Sequence, residues 1–79
     1  MKELLEFMAR ALVESPDDVR VSESETEIGS VLVLRVADED MGRVIGKQGK
    51  IAKAMRTIIK SVATRKGEHV FVEIKDNDE

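Results

Sequence analysis

Gly46 and Gly49 fall inside the longest run of helix-forming sequence in this 79-residue chain and divide it in two. Ahead of them, Asp38-Glu39-Asp40 places negative charge where a helix would begin, favourable beside the positive end of its dipole. That helix is short and reaches Val44 or Ile45 before the glycines stop it. Beyond them, Ile51, Met55, Ile58, Ile59 and Val62 form one apolar stripe. Lys50, Lys53, Thr57, Lys60 and Thr64 form a polar one, and Lys66-Gly67 supplies the helix stop. A G-x-x-G joint between two helices therefore sits at the centre of the chain, and the flanks must provide what the helices pack on.

The flanks read mainly as strands. Leu4, Leu5, Met8, Ala11 and Leu12 recur at helical spacing, and this first helix is expected to stop near Ser15-Pro16, since the residue before a proline is pushed out of helical dihedrals. Asp17 and Asp18 complete a turn. Val19 and Val21 alternate with Arg20 and Ser22 as a short half-buried strand, and Glu25 to Gly29 reads as a hairpin loop. Ser30 to Val36 is β-rich and nearly all apolar, suited to the middle of a sheet. Val70, Val72 and Ile74 alternate with Phe71, Glu73 and Lys75 as a last strand. Residues 76–79 read as a frayed acidic tail. The expected fold is α+β, order α-β-β-α-α-β, a three-stranded sheet backed by three helices in a single domain spanning residues 1–79. Leu32, Leu34 and Val36 point at the helices, which leaves Val31 and Val33 on the opposite face. With Ile59 at the edge of its stripe and the small size of the chain, that face suggests a partner subunit.

Charge is segregated along the same frame. Between Gly42 and Lys66 stand eight basic residues (Arg43, Lys47, Lys50, Lys53, Arg56, Lys60, Arg65 and Lys66) and no acid, while the remainder holds five bases and all sixteen acids. A net charge of −3 conceals a local field able to attract a polyanion. Glycines without Cβ atoms, the amide groups of the following helix and Lys47, Lys50 and Lys53 would together suit phosphate. Ile45 and Ile51 would wall a groove for unstacked bases, with Leu34 on its floor. Glu23, Glu25, Glu27 and the C-terminal acids read as solvated faces that turn a polyanion away from the wrong side.

Other chemistries find little footing. Gly42-x-x-x-Gly46-Lys47 is one residue short of a nucleotide-binding P-loop, and Gln48 stands where a metal-binding hydroxyl is needed. There is no cysteine, so neither a disulfide nor a thiolate metal site is expected, and His69 is a lone surface histidine. The spacings support no Ser–His–acid arrangement, and no enzyme activity, cofactor or small-molecule substrate is expected. Phe7 and Phe71 are the sole aromatics, too few for a base-stacking platform. The N-terminus mixes Lys2, Glu3, Glu6 and Arg10 among its apolar residues, unlike a signal peptide, and no stretch is long enough to span a bilayer. A soluble cytoplasmic protein is expected.

Val44-Ile45-Gly46-Lys47-Gln48-Gly49-Lys50-Ile51 resembles the V-I-G-x-x-G-x-x-I signature of KH domains. Ala52 stands at the final isoleucine position, and a helical alanine can fill it. The leading α-β is similar to the type II version of the fold. Gly42 to Lys50, then Ala52-Lys53-Ala54-Met55-Arg56, is closer still to the small bacterial KH proteins of the KhpA family, and the resemblance covers essentially the whole chain. It implies binding of about four nucleotides of single-stranded RNA, with Gly46, Lys47, Gln48 and Gly49 clamping the backbone. Arg43, Lys50 and Lys53 are the expected flanking phosphate contacts, with Ile45 at the bases. It also implies an RNA chaperone or post-transcriptional regulator tied to cell shape, self-association as a dimer, and a Jag-type (KhpB) KH partner. The alternative is an interaction module whose KH partner supplies the RNA contact.

Overall fold

In a computed structural model, residues 1–77 are described. The elements are α1 (Lys2–Leu12), a 3-10 turn (Pro16–Asp18), β1 (Arg20–Thr26), β2 (Gly29–Val36), α2 (Asp38–Arg65) and β3 (Val70–Asp76). Helix α2 is bent at residues 46–49, which leave helical dihedrals. It therefore works as two arms, 38–45 and 50–65, and with α1 these are the three expected helices. The sheet order is β1-β2-β3. β1 and β2 pair antiparallel with Val21 opposite Leu34, whereas β2 and β3 pair parallel with Leu32 beside Val72. The apolar run of β2 thus takes the central position expected of it.

All the helices lie on one face of the sheet. Leu32, Leu34 and Val36 are fully buried there, with Val21 on β1, Leu5 and Ala9 on α1 and Val44 on the first arm of α2. The second arm buries Ala52, Met55, Ile59 and Ala63. The packing stripe therefore sits about 60° around the helix from the expected one: Ile59 belongs to the core, and Ile58 stays 45% exposed. Ala52 occupies the core position at which the KH signature carries isoleucine, as anticipated. Val31 and Val33 lie half-buried on the other sheet face.

Several boundaries move, each for a visible reason. α1 ends at Leu12 rather than near Ser15, because the chain turns extended at Val13 and the next two amides are held elsewhere. The Asp40 carboxylate accepts the N–H of Glu14 at 3.0 Å and that of Ser15 at 3.1 Å. Asp40 is 1% exposed, and this contact fastens the end of α1 to the first turn of α2. β1 runs to Thr26, so the hairpin loop is only Glu27-Ile28, with the Thr26 hydroxyl donating to Gly29 O. The polar Ser-Glu-Ser-Glu run gave no alternation to read, and its pairing with apolar β2 makes it a strand. Gly29, at φ 139°, lies under the His69 carbonyl, where an added Cβ would sit 2.4 Å from that oxygen. The close approach lets Ser30 N–H reach His69 O at 2.9 Å and joins β2 to the entry of β3. At the end of α2, the N–H groups of Gly67 and Glu68 return to the carbonyls of Thr64 and Ala63 in a Schellman closure. The acidic tail is not frayed at its start: Asp76 pairs in β3, and Asn77 donates to the carbonyls of Val36 and Asp18. Residues 78 and 79 lie outside the described residues.

Candidate functional site

The bend in α2 is made by four residues of unequal character. Gly46 (φ −68°, ψ 173°) is extended, which ends the helical run without positive φ. Lys47 (φ 52°), Gln48 (φ 65°) and Gly49 (φ 71°) then follow in the left-handed region. Such a conformation costs a non-glycine residue roughly 1–2 kcal/mol. Lys47 and Gln48 are the sole non-glycine residues with positive φ among those described. Strain held at two successive exposed polar residues marks a segment shaped for contact rather than for packing.

The first glycine makes the same point sterically. A Cβ on Gly46 would meet nothing within 4 Å, and its φ suits any residue. Nothing inside the chain requires glycine there. The bare backbone leaves an open surface on which another molecule's backbone can lie close. Gly42, one helical turn earlier, is equally open.

The expected site residues divide between two sides of this bend. Arg43, Gly46 and Lys47 line a cleft of about 440 Å³ with Gly42 and Ile51, and Glu14 and Glu39 close its far wall. Arg43 donates to the Glu14 carboxylate, so its charge is already shared within the chain. Ser15 Oγ donates to Glu39 at 2.9 Å, holding that wall in place. Ile45, two residues after Arg43 and therefore on the opposite side of the arm, is 49% exposed. Lys50 and Lys53 follow the loop at helical i, i+3 spacing, both exposed, and Arg56 and Lys60 continue the line. This flank of the second arm faces the free edge of β3, where Arg56 Nε donates to Val72 O at 3.2 Å. The loop, Ile45 and the Lys50–Lys53 flank make a surface that pairs cations with one exposed aliphatic side chain. Arg43 sits apart from it, against Glu14.

Two residues fall outside the expected roles. Leu34 is fully buried and cannot form the floor of a groove. Its place in β2 under the helices, rather than at the sheet edge, removes it from any ligand. Asp40, read in the sequence as helix-start charge, is the buried tether described above. A lone acid inside a D-E-D triplet carries no signal of that role. Among the described residues no group of acids or histidines is placed to hold a metal ion. No helix there is long and apolar enough to cross a membrane.

This arrangement has close counterparts. A family model described as KhpA/KhpB, KH domain, matches residues 2–74. A protein of Clostridium acetobutylicum named RNA-binding protein KhpA is 57% identical over 74 residues, covering 94% of this chain and 99% of that one. Its namesake from Clostridium perfringens is 53% identical over the same shares, and one from Aquifex aeolicus is 45% identical, covering 94% of each chain. Among solved structures, a crystal structure of Aquifex aeolicus Era bound to GDP·AlF4− aligns with a TM-score of 0.60 at 21% identity. The match covers 95% of this chain and 30% of that one and is a likeness of fold.

Proposed function

This chain belongs to the KhpA/KhpB KH-domain family, and from that membership we propose that it binds single-stranded RNA without catalysis through the 46–49 loop. The observation that carries the reading is the loop's own geometry. Two strained, solvent-facing polar residues lie between glycines whose missing Cβ atoms serve no packing need. Gly46 and Gly49 let the sugar–phosphate backbone approach, Lys47 and Gln48 contact it, and Lys50 and Lys53 carry the next phosphates. Ile45 offers an apolar surface to the bases. Arg43 joins only when Glu14 releases it. The names of the relatives support the ligand class.

The finer role belongs to the same proposal: an RNA chaperone or post-transcriptional regulator in the cytoplasm, paired with a second copy or with a Jag-type (KhpB) protein. Half-exposed Ile58, on the flank of the second arm away from Lys60, supports pairing of some kind. A single KH domain makes few phosphate contacts, and pairing raises affinity through effective concentration.

The test is fluorescence anisotropy of a labelled single-stranded RNA pool against the wild type and a Lys47→Asp, Gln48→Asp variant. Aspartate tolerates the left-handed region, so the variant keeps the bend. The expected result is a loss of at least about tenfold, given a charge change of −3 at a phosphate-facing loop. Affinity within about twofold of wild type would remove the loop from the site.

A further inference from the structure

The cationic flank does not end where a four-nucleotide clamp would. Lys53, Arg56 and Lys60 recur at i, i+3, i+7 along the second arm of α2, beside the free edge of β3. Lys60 lies ten residues beyond Lys50, about 15 Å farther along the helix. There two adjoining clefts, of about 150 and 220 Å³, open between the arm and β3. Both are lined by Lys60, Val70 and Phe71; Arg56 closes one, while Thr64 and His69 border the other. Phe71 alternates away from the core residues Val70 and Val72 and is 46% exposed. An exposed ring on this sheet edge, among cleft linings that include Lys60 and Arg56, is costly to leave in water. It also has the composition that holds an unpaired base, an aromatic face for stacking with positive charge at hand for the phosphate.

We propose that Phe71, with Lys60 and Arg56, forms a distal subsite in which a nucleobase beyond the loop-bound segment stacks. The inference rests on the loop being the RNA site and extends the track along the second arm. It also revises the sequence expectation: two phenylalanines make no platform, but one placed at the end of a row of cations serves a single base. Lys60 is the phosphate contact of this subsite. Glu68 also borders this cleft and offers a carboxylate acceptor to a base N–H donor.

The experiment measures randomised single-stranded RNA pools of four and eight nucleotides against wild type, Phe71→Ala, Phe71→Trp and the Lys47→Asp, Gln48→Asp variant. An eight-mer offers several registers to the loop, so the informative comparison is between proteins on the same RNA. Phe71→Ala is expected to weaken the eight-mer by about fivefold or more, the lower end of aromatic stacking on a base. It leaves the four-mer unchanged, and Phe71→Trp restores the eight-mer. The loop variant loses both. Equal eight-mer affinity for wild type and Phe71→Ala overturns the subsite while the loop variant still reports on the loop. Loss of neither RNA in the loop variant overturns the loop and the subsite together. Sedimentation of the same proteins completes the set. A Phe71→Ala change in assembly state with unchanged RNA affinity assigns the ring, beside Val31 on the outer sheet face, to a protein interface and overturns the proposal.

Discussion

Removing the Asp40 carboxylate should loosen the whole frame that presents the loop. Asp40 is 1% exposed, and its two oxygens each accept one backbone N–H, from Glu14 at 3.0 Å and Ser15 at 3.1 Å. A hydrogen bond to a charged group contributes roughly 1.5–3 kcal/mol. Both amides are only partly buried, so water recovers part of the loss. Asp40→Ala is therefore expected to cost about 2–4 kcal/mol, against a total of roughly 4–12 kcal/mol for a chain of this length. Asp40→Asn keeps the shape and one acceptor but turns an N–H toward the other amide, and should cost about half as much. Urea unfolding followed by circular dichroism at 25 °C gives both values from the midpoint and slope. An Asp40→Ala protein within about 0.5 kcal/mol of wild type would refute the assignment, because surface substitutions alone reach that size.

Other outcomes follow from the same geometry. Gln48→Gly relieves left-handed strain of roughly 1–2 kcal/mol at a backbone-entropy cost of about 0.5–1 kcal/mol, so a thermal scan should show a Tm that is raised by a few degrees; a lower Tm contradicts the strain. Glu14→Gln frees Arg43 and should raise RNA affinity by up to about fivefold, the upper range for an exposed ion pair. Unchanged anisotropy would leave Arg43 outside the site. Gly29→Ala brings a Cβ 2.4 Å from the His69 carbonyl oxygen at φ 139°, and a destabilisation above about 3 kcal/mol is expected in the urea assay. Tolerance of alanine there would mean that β2 and the entry of β3 are not held so closely.

The parts of this fold that follow from periodicity could be read in advance. The apolar β2 and the alternating β3 put their side chains where spacing said they would, whereas in α1 the inward face held at Leu4, Leu5 and Met8 but took in Ala9 and left Ala11 and Leu12 exposed. The glycine pair and its acid-free surroundings located the bend and the basic flank. What escaped depends on contacts between distant segments. Past Ser22, β1 carries no alternation of its own and continues to Thr26 because β2 offers it partners. The second arm of α2 is rotated by about a sixth of a turn from its expected stripe, because Ala52 and Ala63, small and easily overlooked, join Met55 and Ile59 in the core. Asp40 looked like one acid among three, yet it is the one aimed inward. Arg43 looked free and is claimed by Glu14 across 29 residues. Which cation faces the ligand is set by the wrapping of α1 against α2, and no local pattern encodes that.

Whether RNA sits on the 46–49 bend is read by amide chemical-shift mapping. The 15N-labelled protein would be titrated with a short single-stranded RNA pool at low and high salt. The largest shifts are expected at Gly46, Lys47, Gln48 and Gly49, followed by Ile45, Lys50 and Lys53, with all of them reduced at high salt. Shifts concentrated on the outer sheet face around Val31 and Val33, with the bend unmoved, would contradict that placement.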